Sequence, residues 1–397
     1  MKVRFILCIV ILSKLLIYCT KEIEVNEITL NPSVIMMYVG ESTSINVSIS
    51  PSDATNQDIV WTSSNQYVAS IENNRIKALS GGSTTLTATA SNGKKASCTV
   101  TVMNHVDNIV FDQNILELGE GEVYELKVTI TPERFTDKTL SWTSSDEEVA
   151  TINNGFITAN KTGRTTITAT SVEGIKESVD VFVNPVMNGQ YYVDLGLSVK
   201  WAVFNVGAKS RAEVGDYYLW GEIKPKSFTY GQSYHYKFYA TPEPYSGYEI
   251  VITKYLTHNF HGGSYGPYID EKSILEPEDD VVSVLWGEGW RMPTIDEYKE
   301  LIKNCSFNWG KIGDTEGLFV TSKKEGFEDN YLFLPAGGRT SIGEYNPTSF
   351  GSGGYYWSSS LCEGIPICSN YLEFGKQSIR DYFTYRDNAL TIRGVIE

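Results

Sequence analysis

Histidine, cysteine, basic residues and long apolar runs are all scarce in this chain. Each scarcity excludes a class of protein function. Only four histidines and six cysteines occur in 397 residues. His258 and His261 form the one close histidine pair, and no further ligand cluster in the sequence completes a metal site around them. Lysine and arginine number 33 against 48 aspartates and glutamates, for a net charge of −15. A chain this acidic lacks the basic patch that binds nucleic acids or an anionic membrane surface.

The apolar run near the N-terminus is short. Residues 5–12 are all apolar, but a run of about eight residues cannot span a bilayer. Lys2 and Arg4 precede the run, as basic residues do in a secretory signal. Residues 1–18 are therefore predicted to be a signal peptide that directs the chain out of the cytoplasm.

The residues around Cys19 predict what happens to the exported chain. The sequence Leu-Ile-Tyr-Cys that ends at Cys19 resembles a lipobox, which implies that Cys19 is acylated and that residues 19–24 form a tether. Lys21 and the acids after it resemble the signal that sends some lipoproteins to the outer face of the outer membrane. The prediction is a surface-exposed outer-membrane lipoprotein that contacts the membrane only through its lipid. A cleaved, secreted protein is the alternative, because Tyr18 stands where a lipobox has a small residue.

The stretch that follows is an internal repeat with an ungapped offset of 81 residues. Trp61 begins a Trp-Thr-Ser-Ser sequence that recurs at Trp142. Each unit alternates apolar and polar residues, as Leu86 and Ala88 do between threonines. This period of two predicts the short strands of a β-sandwich. Trp61 and Trp142 are predicted to lie in the two cores.

These units resemble bacterial immunoglobulin-like domains of group 2, which occur as stalks in adhesins and surface enzymes. The resemblance implies two sandwiches in tandem, at residues 25–103 and 104–185, that act as a spacer. Neither unit has the cysteine pair of an inter-sheet disulfide. Cys98 shares its strand parity with Val100 and is predicted to point into the core as a small apolar residue.

The C-terminal half contains the sharpest local signal. Thr294 is followed three residues later by Glu297, and Tyr298 continues an apolar stripe. This pattern predicts a capping box that opens an amphipathic helix over residues 294–303. A first helix is predicted over residues 275–285, because a proline and several acids stand near its start. Strands are predicted at residues 319–322, 331–335, 355–360, 370–374 and 391–395.

The sequence Gly-Trp-Arg-Met-Pro-Thr that ends at Thr294 resembles the signature of the FISUMP, or major paralogous, domain. That family is a bacterial extracellular module with a C-type-lectin-like fold. Further motifs follow in the family's order, among them Gly-Asp-Tyr-Tyr-Leu-Trp-Gly at 215–221 and Tyr-Trp-Ser-Ser-Ser at 356–360. The resemblance implies an α+β C-type-lectin-like domain at residues 188–397. The predicted fold class is therefore multidomain, with two all-β immunoglobulin-like sandwiches before this α+β domain.

The FISUMP family has no single known activity, so the resemblance does not identify a binding site. The candidate site is inferred from the residue types instead. We predict a lectin-like domain that binds an extracellular glycan or protein. Its ligand residues are sought in the aromatic-rich stretch 355–388, because rigid rings and arginines give contact area at low entropic cost. The candidates are Tyr356, Tyr371, Glu373, Arg380, Tyr382, Tyr385 and Arg386. The last four lie in a polar run and are expected at the surface, whereas Trp357 is expected in the core.

Two other functions remain open at this stage. Cys362, Cys368 and Arg393 faintly resemble the tail of the formylglycine-generating enzyme, a copper-dependent oxidase on a lectin-like fold, although the cysteine spacing is one residue longer. A disulfide between Cys362 and Cys368, or a pair of free thiols, is the simpler prediction for these residues, and Cys305 could pair with either. The second alternative is a structural protein whose tip binds only its neighbours in a surface assembly.

No metal and no cofactor are predicted. The acidic segment 276–280 superficially resembles a calcium motif of lectins, but the Glu-Pro-Asn and Trp-Asn-Asp tripeptides of calcium-dependent sugar binders are absent from the sequence. The start of a helix explains the same acids more simply.

Overall fold

The structure is a computed structural model that describes residues 22–226, 236–240, 251–257, 269–341 and 346–397. They fall into two compact units. The first contains the residues up to Asn114, Leu126–Thr143 and Thr168–Val179, and the second contains Ile115–Glu125, Ser144–Ile167 and Asp180–Glu397. The division therefore passes through the second repeat. Within the described ranges, no helix is long and apolar enough to cross a membrane.

The first repeat is built from short strands, as its alternating pattern predicts. They are β1 (Glu27–Asn31), β2 (Val34–Tyr38), β3 (Ser42–Ser44), β4 (Asn46–Ser50), β5 (Ile59–Ser63), β6 (Ala69–Glu72), β7 (Arg75–Ala78), β8 (Gly82–Ala90) and β9 (Lys95–Met103). One sheet has the order β2-β9-β8-β5, with β2 parallel to β9, and a second has the order β3-β7-β6. Leu86, Cys98 and Val100 are fully buried in the core. The predicted inward orientation of Cys98 is confirmed.

The repeated tryptophans are less buried than predicted. Trp61 and Trp142 are both half-buried. Trp61 lies on β5, an edge strand of its sheet, and its indole Nε1 donates to Asn74 Oδ1 at 2.9 Å. Trp142 stacks on Phe111 with ring centroids 5.9 Å apart. The prediction that these rings lie in the cores holds in part for Trp61, which packs against the buried side chains of the first repeat but is itself only half-buried.

The second repeat reproduces the arrangement of the first. Its strands are β10 (Asn108–Phe111), β11 (Ile115–Gly119), β12 (Val123–Glu125), β13 (Val128–Thr131), β14 (Leu140–Ser144), β15 (Ala150–Asn153), β16 (Phe156–Ala159), β17 (Gly163–Ser171) and β18 (Lys176–Asn184). In the first unit β10 pairs antiparallel with β13, and in the second β11 runs parallel to β18. These pairs are the counterparts of β1 with β4 and of β2 with β9. The sequence repeat is therefore a structural repeat.

The described residues after 185 form short strands and two helices. They are β19 (Val186–Met187), β20 (Gln190–Val193), β21 (Lys200–Asn205), β22 (Tyr218–Leu219), β23 (Tyr239–Ala240), β24 (Val251–Ile252), α1 (Val281–Trp286), β25 (Trp290–Arg291), α2 (Ile295–Asn304), β26 (Cys305–Ile312), β27 (Thr315–Ser322), β28 (Tyr331–Pro335), β29 (Gly353–Leu361), β30 (Cys368–Gly375), β31 (Ile379–Tyr385), β32 (Ala389–Leu390) and β33 (Arg393–Ile396). Three sheets organise this part, with the orders β19-β20-β21-β33-β25, β26-β27-β28 and β29-β30-β31. Each strand predicted here overlaps an observed one.

The capping box of α2 is confirmed. The Thr294 hydroxyl accepts the amide of Glu297 at 3.3 Å, and the Glu297 carboxylate accepts the amide of Thr294 at 2.7 Å. Tyr298 and Leu301, one turn further on, are fully buried. The capping box therefore fixes where this helix begins, and the apolar stripe fixes which face packs against the core.

The first helix begins later than predicted. It was expected at residues 275–285, but α1 starts at Val281 with Asp280 as its N-cap. Asp280 accepts the amides of Val282 at 2.9 Å and Ser283 at 3.1 Å through Oδ1, and the amide of Met292 at 2.8 Å through Oδ2. Because this buried carboxylate satisfies the free amides of the first turn, it sets the helix start in place of the upstream proline.

Arg393 closes an irregularity in the five-stranded sheet. The pairing of β21 with β33 shifts register between Trp201 and Asn205, so carbonyls in between lack ladder partners. The Arg393 side chain is fully buried there. It donates to the carbonyl of Ala202 at 2.9 Å and to that of Phe333 at 2.8 Å. Burial lowers the pKa of Arg393 to about 10.

Candidate functional site

The candidate site is built on the antiparallel sheet β29-β30-β31. Two rows of residues stand directly opposite one another across it: Trp357, Tyr371 and Tyr382, and Tyr355, Glu373 and Arg380. Directly opposite residues, and residues two apart on one strand, point to the same side of a sheet. All six side chains therefore share one face.

The rings of this face form a series that runs from the core to solvent. Tyr371 makes an edge contact with Trp357 on one side, with centroids 6.0 Å apart, and with Tyr382 on the other at 6.2 Å. Tyr355 packs on Tyr371 at 6.0 Å. Trp357 and Tyr371 are buried, but Tyr382 is 46% exposed. We call Tyr355, Tyr371 and Tyr382 the aromatic ladder.

An arginine lies over each end of the aromatic ladder. The guanidinium of Arg339 is 5.0 Å from the ring centroid of Tyr355, and that of Arg380 is 4.6 Å from Tyr382. Both distances are typical of cation–π contacts. Arg380 also donates to one oxygen of Glu373 from Nε at 3.1 Å and from Nη2 at 2.9 Å, and this bond raises the pKa of Arg380. Glu373 and the ring together hold the Arg380 plane in a defined orientation.

The outer strand of the sheet exposes three aromatic rings. β31 is the last strand in the sheet order. Phe383 is 38% exposed and Tyr385 is 55% exposed. The rings of Tyr382 and Phe383 stack on one another, with their centroids 5.1 Å apart. We call Arg380, Tyr382, Phe383 and Tyr385 the aromatic edge.

The structure places the seven predicted ligand residues in two environments. Arg380, Tyr382 and Tyr385 are exposed, and half-buried Glu373 is paired with Arg380. The other three, Tyr356, Tyr371 and Arg386, are buried. Tyr371 lies inside the aromatic ladder, where it supports Tyr382 from below. It cannot itself offer a ring face to a ligand.

Tyr356 points to the opposite side of the sheet. It is fully buried beside Leu372 and Phe374 in a separate apolar cluster. Its hydroxyl donates to the carbonyl of Pro335 at 2.8 Å and accepts from Asn205 at 3.0 Å. Strand alternation places Tyr356 on the opposite side from Tyr355 and Trp357, and both sides of the sheet are packed here, since Trp357 is also fully buried.

Arg386 is a core residue, so its predicted place at the surface is wrong. It is fully buried and lies 4.8 Å above the ring of Trp220. Its guanidinium donates to the backbone carbonyls of Lys254, at 3.1 Å, and Tyr255. These bonds fasten the described segment around residue 255 to the end of β31. The polar run around Arg386 in the sequence hid this role, since the partners are remote backbone carbonyls.

The acidic residues before α1 form a salt-bridge network. Carboxylate oxygens of Glu276, Glu278 and Asp279 lie within 4.8 Å of one another. The ammonium of Lys254 contacts all three, at 2.6, 3.1 and 2.5 Å in that order. Burial alone would lower the pKa of Lys254, but the three carboxylates outweigh it and raise that pKa. Lys237 and Lys272 add further ammonium groups beside Asp279 and Glu276, so these carboxylates are paired with lysines of the chain itself.

The C-terminal cysteines are free thiols. Cys362 and Cys368 are buried, and the Cys362 amide donates to the Cys368 carbonyl at 3.2 Å. The disulfide predicted between them is not formed in the structure. Burial raises the pKa of both thiols, that of Cys368 to about 12. His258 and His261 lie outside the described residues.

The contacts of several residues that organise this region gave no signal in the sequence. Arg339, which forms an isolated bridge with Thr348, reaches Tyr355; Asp280 joins α1 to Met292; and Arg393 bonds carbonyls at a strand irregularity. None of these three contacts follows from a fixed spacing in the sequence. Each residue acts on a partner brought close by the tertiary fold, so a local pattern could not have identified it.

The first half of the chain consists of two bacterial Ig-like domains. The family model for the bacterial Ig-like domain (group 2) matches residues 24–100 and again residues 105–181. The protein is thus a mostly β, multidomain chain with tandem Ig-like domains.

Curated relatives match part of the chain. An Ig-like virion protein of Serratia phage KSP90 is 29% identical over 171 residues, which is 41% of this chain and 66% of the phage protein. An uncharacterised protein of Clostridium acetobutylicum is 28% identical over 174 residues, 42% of this chain and 18% of the relative. An α-L-arabinofuranosidase of Bifidobacterium longum is 31% identical over 198 residues, 43% of this chain and 18% of the enzyme. The chain therefore spans less than two thirds of the length of each.

Solved structures that match part of the chain include domains of an S-layer protein and a fragment of intimin. Domains 4 and 5 of the S-layer protein SbsC are 19% identical, with a TM-score of 0.21, over 40% of this chain and 98% of that one. The C-terminal fragment of intimin, solved with the intimin-binding domain of its receptor, is 15% identical, with a TM-score of 0.25, over 41% of this chain and 64% of that one.

Proposed function

We propose that this chain is an exported surface protein whose C-terminal domain, a FISUMP-type module with a C-type-lectin-like fold, binds an extracellular glycan or protein. The observation that carries the proposal is the aromatic edge: exposed rings on an outer strand, with an arginine held in place beside them. The motifs that resemble the FISUMP signature support the same assignment. Proteins rarely expose adjacent large rings unless a partner covers them.

The aromatic edge has the properties of a binding surface. The rings of Tyr382 and Tyr385 have few rotatable bonds, so ordering them costs little entropy. Tyr371 and Arg380 already restrict Tyr382 from below and from the side. Ring faces suit the apolar faces of sugars, and the hydroxyls and the guanidinium offer hydrogen bonds. A ligand would therefore meet a largely preorganised surface.

Converting Tyr382 and Tyr385 together to alanine is expected to remove ligand binding. Two central tyrosines of an interface commonly contribute enough that their joint loss weakens binding by ~100-fold or more. The melting temperature should change little, because the rings are 46% and 55% exposed and surface truncations cost little stability. Binding is measured by surface plasmon resonance with the ligand found by the screen described below.

Tyr67→Ala is the matched control for this double variant. Tyr67 is a tyrosine of the first repeat that is 87% exposed, so its removal deletes the same chemistry at a distant surface. It should leave binding unchanged. Wild-type affinity in the double variant, or a collapse of its fold, would place the binding surface elsewhere.

The ligand class is best identified with the exported chain, residues 19–397. A glycan array and a pull-down from cell-surface extracts together cover sugar and protein ligands. Captured material must be lost in the Tyr382→Ala/Tyr385→Ala variant to count as support. Self-association of the chain without any captured ligand would favour the structural-assembly alternative instead.

We further propose that the chain is tethered to the outer membrane through Cys19, which lies outside the described residues. Metabolic labelling with an alkyne fatty acid is expected to mark the wild-type chain and not Cys19→Ala, because only the thiol of Cys19 stands at the end of the lipobox-like sequence. Cys8→Ala removes a thiol within the predicted signal and should leave labelling intact. Soluble secretion of the unlabelled wild type would contradict the tether.

A further inference from the structure

The outer face of the second repeat carries a buried ion pair. Glu117 on β11 accepts hydrogen bonds from Nε and Nη2 of Arg211, the latter at 2.8 Å. The two side chains are 7% and 5% exposed. Asn184 on β18 donates to the same carboxylate at 2.7 Å. Burial alone would lower the pKa of Arg211, but the Glu117 carboxylate outweighs it and raises that pKa.

Aromatic rings enclose the guanidinium of this pair. Arg211 lies 3.9 Å from the ring centroid of Phe182 and 5.0 Å from that of Tyr331. Phe182 and Tyr331 also touch edge to face, with centroids 5.9 Å apart. Glu117 and Phe182 belong to the second repeat, whereas Arg211 and Tyr331 belong to the C-terminal domain. All four lie in the same compact unit.

The first repeat provides an internal comparison for this face. Glu117 pairs with Phe182 in the parallel register of β11 and β18. At the ungapped offset the first repeat has Met36 and Thr101, which pair with each other in the same register. Met36 is 71% exposed. The same sheet thus folds without a carboxylate or a ring at these two positions.

The fold of the repeat therefore does not explain Glu117 and Phe182. Burying a carboxylate is costly unless a charged partner and further hydrogen bonds compensate for it. Here the compensation comes from Arg211, which enters from the C-terminal domain. The compact unit that joins Ile115–Glu125 and Asp180–Glu397 reflects the same association.

We infer that the outer face of β11 and β18 is an intramolecular docking surface for the C-terminal domain, with Arg211 as its anchor. The second Ig-like domain then stabilises the C-terminal domain through this contact. Only the first repeat has a solvent-exposed residue at this position, as a spacer domain would. The inference does not depend on the ligand proposal, since it concerns contacts within the chain.

The test is hydrogen–deuterium exchange on the full chain with Glu117→Met, Arg211→Met and the double variant. Methionine is the residue that the first repeat has in place of Glu117. Each single variant leaves one buried charge without its partner, so exchange in peptides from 206–217 and 331–335 should accelerate by ~100-fold. The double variant removes both charges and should exchange more slowly than either single variant.

Met36→Glu is the matched control, because it places a carboxylate at the equivalent exposed position of the first repeat. It should leave exchange in 206–217 unchanged. Faster exchange confined to 105–184 in Glu117→Met, or additive effects in the double variant, would overturn the inference. If Glu117→Met does not fold, Glu117→Gln decides: a smaller acceleration at 206–217 supports the docking surface, and unchanged exchange there refutes it.

Discussion

Replacing Arg393 with methionine is expected to destabilise the C-terminal domain by about 4 kcal/mol. The guanidinium is buried among main-chain acceptors: it donates to the carbonyls of Ala202, Val203 and Phe333. Methionine has a similar length and fills the space but donates nothing. Three buried carbonyls would then lack partners at the point where β21 departs from the ladder with β33. A buried acceptor without a donor costs about 1–3 kcal/mol.

Urea denaturation followed by native-state hydrogen exchange in β21 and β33 measures this loss. Arg380→Met is the matched control, since it removes an arginine of the same length that is exposed and bonded to a side chain. It should leave exchange in β21 and β33 nearly unchanged. A stable Arg393→Met variant would mean that the carbonyls find other donors, and that the guanidinium is not what closes the irregularity.

Replacing Asp280 with alanine is expected to cost about 3 kcal/mol and to unravel α1 before the rest of the domain. One carboxylate serves three amides, those of Val282, Ser283 and Met292. The first two belong to the start of α1, and the third lies beyond the helix, at the entry to α2. Alanine leaves all three amides without an acceptor in a buried setting.

Thr294→Ala is the reference variant, because it shows how much stability is lost when a cap that accepts one amide is removed. Thr294 caps α2, but its hydroxyl serves a single amide, that of Glu297, so its loss should cost about 1 kcal/mol. Thermal denaturation of both variants, with exchange measured in α1 and α2 separately, gives the two values. Equal costs for the two substitutions would show that the additional bonds accepted by Asp280, that from Met292 included, contribute nothing.

The docking surface distinguishes the second Ig-like repeat from the first. The sequence repeat predicts two equivalent spacers. The exposed Met36 of the first repeat fits that expectation, and the buried Glu117 of the second does not. A binding experiment on residues 188–397 alone would leave Arg211 without its carboxylate. For this reason the ligand screen uses the longer chain.

The candidate site was predicted in part. Composition drew attention to residues 355–388, and the exposed Arg380, Tyr382 and Tyr385 lie there. Composition could not separate these residues from Tyr356 and Arg386, which the structure buries. Both faces of β29 and β30 are packed, so alternation along the strand does not separate buried from exposed residues; that depends on what packs against each face.

The sequence by itself determined those features that rest on neighbouring residues. The repeat offset and the period of two predicted the paired sandwiches. The spacing of Thr294 and Glu297 predicted the capped helix, and the parity of Cys98 predicted its burial. In each case the interacting groups are within a few residues, or the pattern is repeated, so the information is local.

Only the tertiary structure decided the rest. Arg393 meets the carbonyl of Ala202 across 191 residues, Glu117 meets Arg211 across 94, and Asp280 caps a helix later than its proline suggested. The cause is physical: a buried charge or carbonyl must find a partner wherever the fold brings one close. Such partners are chosen by proximity in space, and a one-dimensional pattern does not contain that proximity.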